Sequence, residues 1–183
     1  MRQHDRVVAV RLAHTSSLEP ATLGAIRRLI DDAFAGHFDA TDWEHTLGGM
    51  HALVEEDGAV VAHGAVVQRR LVHGGRALRT GYVEGVAVRS DHRRRGYGST
   101  VMHGLAGVIH AAYELGALST ADDAADLYRS LGWRRWEGAT WVISPDGLRR
   151  TPDEDRSTYV LPVGAALDLS GDLACDWRDG DVW

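Results

Sequence analysis

The chain has 183 residues, of which 44% are hydrophobic and 25% charged, with a formal net charge of −6. This length and balance fit one globular domain and exclude wholesale disorder. No apolar run approaches the about 18 residues that a membrane-spanning helix needs, and residues 1–6 lack a secretory signal's apolar stretch, so we expect a cytoplasmic protein without membrane partners. The single cysteine, Cys175, excludes an internal disulfide, and no Cys/His cluster has zinc spacing, so we expect no metal site.

The first half of the chain predicts two helices and a β-hairpin. Leu23, Ile26 and Ile30 recur at helical spacing, and Asp57-Gly58 is a strong hairpin signal. In chain order, the predicted elements are a strand over Val7–Leu12, a helix from Pro20 to Phe34, a short helix capped by Thr41 or Asp42, and strands over Ala52–Glu56 and Ala59–Val72.

The second half predicts a central strand–loop–helix crossover followed by more β-structure. Val101, Leu105 and Ile109 belong to one apolar stripe of the crossover helix. In chain order, the predicted elements are strand Ala77–Val88, helix Gly98–Tyr113, strand Ala117–Thr120, helix Asp122–Leu131, strand Trp133–Ile143, surface loop Ser144–Asp155 and strand Ser157–Leu161. Antiparallel strands around such a crossover predict a single α+β (mixed α/β) domain over residues 1–183.

The net charge lies in residues 151–183, which we call the acidic segment. This segment carries eight carboxylates and two arginines, whereas residues 1–150 are neutral overall. Acidic tails are often solvated, but Trp177 and Trp183 indicate that this one packs. A folded acidic surface with aromatic residues suits a polycationic ligand and disfavours nucleic acid.

A glycine-containing, arginine-rich turn follows the strand that ends at Val88. Two interpretations are open: a solvated charge run with ordinary turn glycines, or an anion site. In the second, unpaired amides at the start of the helix bind a pyrophosphate, Gly96 and Gly98 let the backbone approach, and three arginines neutralise the charge. The turn is not a Walker loop, since the chain has no lysine, and Val101 replaces the third glycine of the dinucleotide fingerprint.

The pattern Arg93-x-x-Gly96-x-Gly98, between an apolar strand and a helix, resembles the coenzyme A loop of the GCN5-related N-acetyltransferases (GNAT). The longer blocks 41–53, 82–88 and 175–183 resemble the mycobacterial aminoglycoside 2'-N-acetyltransferases over nearly the whole chain. The resemblance implies a twisted, mostly antiparallel sheet with helices on both faces, a splayed-strand cleft for acetyl-CoA, and a homodimer. The residues it implies for acetyl-CoA binding are Val86, Ala87, Val88, Arg93, Arg94, Arg95, Gly96, Tyr97, Gly98 and Ser99.

Glu84 is the candidate general base. It lies among apolar residues, where burial raises the pKa of a carboxylate and makes it a stronger base. The alternative from the residues alone is a structural glutamate paired with a residue such as Arg79. The resemblance favours a base that accepts the amine proton directly or through water. Gly85 beside it suits a β-bulge, where strands part.

Tyr128 is the second candidate catalytic residue. From spacing alone a core position is the simpler interpretation, but Tyr128 matches the tyrosine that serves as general acid in the resembled superfamily. In that role it protonates the departing coenzyme A thiolate. Cys175 lies outside the motif core, so we expect direct transfer in a ternary complex rather than an acyl-enzyme.

The resemblance also implies the acceptor site, to which the acidic segment contributes. Its expected residues are His37, Asp42, Glu84, Ser119, Glu154, Asp181 and Trp183, the last through its terminal carboxylate. His37 and Glu154 stand where the resembled enzymes carry aspartate, which puts one carboxylate contact in doubt. His51, His63 and His103 are expected to be structural.

The resemblance implies an acetyl-CoA-dependent enzyme that acetylates the 2'-amino group of aminoglycosides and confers resistance to them, and the acidic segment is consistent with such a multiply charged acceptor. The alternatives are a GNAT acetyltransferase of another polyamine or small-molecule amine, and a non-catalytic coenzyme A-binding domain. A nucleic-acid-binding role is disfavoured by the charge distribution.

Overall fold

The computed structural model describes residues 9–121 and 124–183. Within them the strands are β1 (Val10–His14), β2 (Met50–Glu56), β3 (Ala59–His73), β4 (Arg76–Val88), β5 (Leu115–Ser119), β6 (Arg134–Arg135), β7 (Thr140–Ser144), β8 (Gly147–Arg150), β9 (Thr158–Pro162) and β10 (Leu173–Asp176). The α-helices in the same residues are α1 (Pro20–Ala33), α2 (Ala40–His45), α3 (Tyr97–Ala112) and α4 (Ala125–Ser130).

The described strands form one curled, mixed sheet in the order β6-β9-β5-β4-β3-β10-β7-β8, with β2 and β1 branching from β3. The pairs β4–β5 and β10–β7 are parallel, and the others are antiparallel. The long strand β3 pairs with β4 along one edge. Its other edge pairs with β2 in its first half and with β10 near its end. The predicted α+β, mostly antiparallel fold is confirmed.

Helices α1 and α3 cover opposite faces of the sheet. Successive side chains of a strand point to opposite faces. In β2, Leu53 packs in the cluster of α1, whereas Ala52 and Val54 pack in the cluster of α3. The apolar stripe predicted for the crossover helix is confirmed, since Val101, Leu105 and Ile109 are fully buried.

Strands β4 and β5 pair at one end only. Their parallel register covers Thr80, Gly81 and Tyr82 of β4, although β4 continues to Val88 and β5 to Ser119. Beyond Tyr82, β4 keeps its antiparallel neighbour β3 but no longer pairs with β5. The parting of these two strands opens a cleft in the middle of the sheet, as the resemblance implies.

The acidic segment folds against the rest of the chain, and here the structure corrects the sequence prediction in three places. Strand β10 was not predicted; it lies between β3 and β7. The single predicted strand Trp133–Ile143 is two strands, because at Gly138 the chain passes the Gly171 carbonyl so closely that a Cβ would lie 1.9 Å from its oxygen. The predicted loop Ser144–Asp155 contains β8, which pairs with β7 as a hairpin.

Other predicted boundaries shift less. Asp39, rather than Thr41 or Asp42, caps α2: its carboxylate accepts from the Thr41 and Asp42 amides, and Asp42 bonds back in a capping box. The helix predicted from Asp122 begins at Ala125, and Asp122 lies outside the described residues, as do Val7 and Val8. None of the described helices has the length and apolar character of a membrane span.

Candidate active site

The β-bulge predicted at Gly85 is present on the edge of the cleft. The register of β3 and β4 shifts between His63 and Ala65, and Gly85 has φ +57°, in the left-handed region that favours glycine. Nδ1 of His63 lies 2.8 Å from the Gly85 carbonyl oxygen. Since a carbonyl only accepts hydrogen bonds, this nitrogen donates. The buried side chain of His63 therefore stabilises the bulge through this hydrogen bond.

The last residues of β4 present backbone amides to the cleft. The Arg89 N–H donates to the Val61 carbonyl of β3 at 2.9 Å. Because N–H groups alternate in direction along a strand, those of Val88 and Val86 point to the opposite edge, where β5 has parted. These two predicted residues thus supply hydrogen-bond donors along the cleft, whereas the Ala87 side chain packs with the cluster of α1.

The start of α3 supplies a second group of amides. Gly96 precedes the helix with φ +83° and, lacking a side chain, does not itself cap the helix. The first intrahelical bond runs from Thr100 N–H to the Gly96 carbonyl at 2.9 Å, so the N–H groups of Tyr97, Gly98 and Ser99 have no intrahelical acceptor. They form the amino-terminal end of a 16-residue helix, whose dipole favours an anion.

The side chains of the arginine-rich turn divide into two sets. Arg93, Arg94 and Arg95 are exposed. Tyr97, in contrast, is buried, and its hydroxyl donates to Glu56, which His92 also contacts at 3.0 Å. The buried Tyr97 side chain therefore anchors the turn from the inside.

Glu84 lies on β4 just before the bulge and forms a close ion pair with Arg178 of the acidic segment. Their side chains are 14% and 13% exposed, respectively. Burial raises the pKa of Glu84, and the positive charge of Arg178 opposes that rise. Arg79 is not its partner, since its guanidinium donates to the Ala112 carbonyl at 2.8 Å.

The end of the acidic segment packs beside this ion pair. Trp183 is buried, and its indole N–H donates to the Thr151 hydroxyl at 2.9 Å. The Asp181 carboxylate accepts from the Trp183 amide at 3.1 Å, and the Asp181 side chain otherwise faces solvent. The prediction that this segment packs rather than remains solvated is confirmed, and it brings Asp181 and Trp183 to Glu84.

Tyr128 lies on α4, near the start of α3. Its ring packs edge-on against Trp133, with 6.3 Å between centroids, and against Tyr159 at 6.4 Å. A Cβ on Gly98 would lie 3.5 Å from the side chain of the neighbouring Leu127, which places α4 beside the amino-terminal turn of α3.

Ser119 and Glu154 meet at the end of β5. The Ser119 hydroxyl donates to the Glu154 carboxylate at 3.0 Å, and Ser157 donates to the same oxygen at 2.8 Å. Two hydroxyl donors fix the carboxylate without neutralising its charge. It remains able to bind an ammonium group.

The geometry agrees with known proteins at two levels. A family model of the GNAT acetyltransferase domain matches residues 14–136. The chain belongs to the GNAT acetyltransferase family. It is 51% identical over 177 residues, 94% of this chain and 91% of the relative, to an aminoglycoside 2'-N-acetyltransferase of Mycolicibacterium fortuitum.

Solved GNAT structures share the fold at lower identity. A GNAT acetyltransferase from Brucella melitensis, solved in complex with acetyl-CoA, has a TM-score of 0.60 and 19% identity, with 93% of this chain and 97% of that chain covered. A GCN5-related N-acetyltransferase from Kribbella flavida has a TM-score of 0.56 and 24% identity. The match covers 72% of this chain and 34% of the Kribbella chain, so the present chain spans about a third of that protein.

Two residues of this GNAT domain remain from the set predicted to bind the amine substrate: Asp42 on α2 and His37 before it. Asp42 is engaged in the capping box, where its carboxylate accepts from the Asp39 amide at 3.0 Å. Helix α2 nevertheless reaches the acidic segment, because His45 bonds the Asp179 carbonyl at 2.9 Å. His37 is exposed in the turn before α2, and no described hydrogen bond among residues 9–121 and 124–183 joins its side chain to Glu84 or the acidic segment.

The sequence analysis missed Arg178, the cation that pairs with Glu84. A signal was present: Arg178 is one of only two arginines in the acidic segment, and it stands between Trp177 and Asp179. A lone cation among carboxylates and aromatic residues is a candidate for a buried ion pair. Its partner lies 94 residues away, so sequence spacing does not identify it.

Proposed function

We propose that this protein is an acetyl-CoA-dependent N-acetyltransferase that acetylates the 2'-amino group of aminoglycosides by direct transfer. The observation that carries this proposal is the acidic segment, which folds back so that Asp181 and Trp183 lie beside the buried Glu84. The 51% identity to an aminoglycoside 2'-N-acetyltransferase extends over 94% of the chain. In this proposal the cleft that binds acetyl-CoA and the acidic pocket that binds the amine adjoin each other at Glu84.

The donor side suits acetyl-CoA because two sets of free amides line the cleft. The amides at the start of α3, with Arg93, Arg94 and Arg95, would hold the diphosphate. The outward-facing N–H groups of Val86 and Val88 would bond the pantetheine amides and the thioester oxygen. Such a donor stabilises the negative charge that develops on that oxygen during transfer. When bound, acetyl-CoA supplies the activated acetyl group.

The acceptor side suits a polycationic aminosugar. Glu84, Glu154 and Asp181 would offer carboxylates, and Ser119 a hydroxyl: Ser119 bonds Glu154 at the end of β5, and Arg178 joins Glu84 to Asp181. An aminoglycoside carries several ammonium and hydroxyl groups, so separated carboxylates bind it better than one anionic point does. We propose that Asp42 and His37 contribute from the α2 side.

In this mechanism Glu84 accepts the proton of the attacking amine, directly or through water. Burial raises the pKa of Glu84, which strengthens it as a base. Tyr128 returns a proton to the thiolate that leaves. The protein's thiol is unsuited to form an acyl-enzyme: burial raises the pKa of Cys175 to about 11, and its Sγ donates to the Val182 carbonyl at 3.2 Å.

The test is steady-state turnover with kanamycin B and kanamycin A, which differ only in bearing an amine or a hydroxyl at 2'. We expect acetyl-CoA-dependent turnover of kanamycin B alone. Glu84→Gln and Tyr128→Phe are each expected to lower kcat by about 100-fold or more, with the melting temperature as the folding control. Equal, negligible turnover of both antibiotics contradicts the substrate assignment. Full activity in both variants contradicts the assigned roles.

Resistance and assembly complete the proposal. Expression in the cytoplasm of a susceptible host should raise the inhibitory concentration of kanamycin B and leave that of kanamycin A unchanged. We also propose a homodimer, as the resemblance implies, and light scattering on the purified protein should give twice the chain mass. A monomeric mass contradicts the dimer without affecting the substrate assignment.

A further inference from the structure

Arg178 connects the proposed catalytic glutamate with the acidic segment. Each of its three guanidinium nitrogens donates a hydrogen bond: Nη1 to Glu84, Nη2 to the Trp183 main-chain oxygen at 2.9 Å, and Nε to the Asp181 carbonyl at 2.7 Å. One side chain thus ties β4 to the two residues of the segment that are expected to contact the acceptor.

The guanidinium of Arg178 is held from a further direction by Tyr82. It lies 5.5 Å from the centroid of the Tyr82 ring, and Arg69 lies 4.7 Å from the same centroid. Arg69 is itself bound by Asp176 of β10 at 2.8 Å. A planar guanidinium that stacks on a ring while it donates in its own plane loses little further freedom on bonding.

We propose that Arg178 is a positioning residue for the transfer reaction, which orients Glu84 and couples it to the acceptor-binding end of the acidic segment. This inference rests on the proposed function. Arg178 donates a hydrogen bond to Oε1 of Glu84 and to no other oxygen of that carboxylate. Among the described residues, Oε2 has no hydrogen-bond donor, so it is the oxygen left for the acceptor amine or its water.

Electrostatics give the proposal a measurable consequence. Among charged neighbours, Arg178, Arg69 and Asp181 have the largest effects on the pKa of Glu84, the titratable Tyr82 lies beside them, and His45 of α2 faces Arg178. Burial raises the pKa of Glu84, Asp181 adds to the rise, and Arg178 and Arg69 oppose it. Loss of Arg178 therefore raises the pKa of Glu84 further, so that at any pH on the acidic limb of the activity profile more of this carboxyl is protonated and inactive as a base.

The first experiment measures kcat/KM against pH for Arg178→Gln, Arg178→Lys and Arg149→Gln. Arg149 stacks on the adjacent Trp177, so its variant removes a nearby arginine that does not touch Glu84. We expect Arg178→Gln to move the acidic limb of the profile upwards by about one pH unit, so that activity falls by up to about tenfold on that limb and the loss disappears on the plateau above it. Arg178→Lys restores the position of the limb, and Arg149→Gln leaves it unchanged. The ionisation of the acceptor is common to all variants.

A uniform loss at every pH in Arg178→Gln, with no recovery in Arg178→Lys, would mark a merely structural residue and overturn the proposal. A second measurement is independent of turnover: a carbon NMR titration of the glutamate carboxyls without substrate, with Glu84→Gln used to assign the signal. We expect a higher Glu84 pKa in Arg178→Gln. An unchanged pKa overturns the proposal even in an active enzyme. If the unmodified protein shows no turnover but the pKa of Glu84 still rises in Arg178→Gln, the proposed substrate is refuted, and the effect of the ion pair on Glu84 is retained.

Discussion

Mild acid is expected to destabilise this protein through two buried histidines, His51 and His63. Nδ1 of His63 donates to the Gly85 carbonyl, so Nε2 of neutral His63 accepts from Nδ1 of His51 at 2.9 Å. Nε2 of His51 then accepts from the Thr15 hydroxyl at 2.8 Å. Both rings are fully buried and both are neutral in this chain of bonds.

The pKa values determine the direction of the effect. Burial lowers the pKa of His51 to about 4 and that of His63 to about 3, whereas both titrate near 6.5 in the unfolded chain. Between these values the unfolded state binds protons that the folded state does not, so stability falls as pH falls. From pH 7 to pH 5 each histidine then costs about 2 kcal/mol of unfolding free energy, about 4 kcal/mol for the pair.

The assay is urea denaturation at several pH values between 5 and 7. Unfolded carboxyls titrate near pH 4, and any contribution of Glu84, whose pKa burial raises, is common to the variants that are compared. The slope of the unfolding free energy against pH reports the number of protons taken up on unfolding. We expect His51→Gln to lower this number by about one, and His103→Gln, at an exposed histidine, is the matched control. An equal slope in both variants, or a ring NMR titration of His63 near pH 6.5 in the folded protein, refutes the reasoning.

Two further stability predictions use the same assay at pH 7. Gly49→Ala should destabilise the protein by about 1–3 kcal/mol, because the new Cβ would lie 2.1 Å from the Val66 carbonyl oxygen. Gly107→Ala should stabilise it by about 0.5–1 kcal/mol, because alanine favours the helix and its Cβ on α3 would meet no atom within 4 Å. Equal stabilities of these two variants would contradict the packing argument. Trp183→Ala should cost about 3–5 kcal/mol, since the ring is buried in the core and bonds Thr151; a loss below about 1 kcal/mol would show that the segment docks weakly.

Local chemistry made much of the fold predictable. The Asp57-Gly58 turn, the 3.6-residue periodicity of α1 and α3, and the glycine at the bulge each act within a few residues, so their signals are visible in the sequence. The residues proposed to bind acetyl-CoA are local in the same sense, because one strand end, one turn and one helix start between residues 86 and 99 supply them all.

The acceptor side of the site was not predictable in the same way. Residue type and resemblance indicated Glu84 and Asp181, but the Arg178–Glu84 ion pair joins residues 94 positions apart. Strand β10 has only four residues, and it is a strand because it pairs with β3 on one side and β7 on the other. The crossing of Gly138 and Gly171 that splits one predicted strand is equally non-local.

The amino-acid sequence by itself indicated the main helices and hairpins, the bulge, the glycine-containing turn that is a candidate anion site, and the candidate base. The tertiary structure alone decided which charge faces that base, and where the acidic segment, whose packing its tryptophans indicated, comes to lie beside Glu84. The physical reason is range. Turn chemistry and periodicity act over a few residues, whereas the pKa of a buried carboxylate depends on whichever charges the complete fold brings within a few ångströms of it.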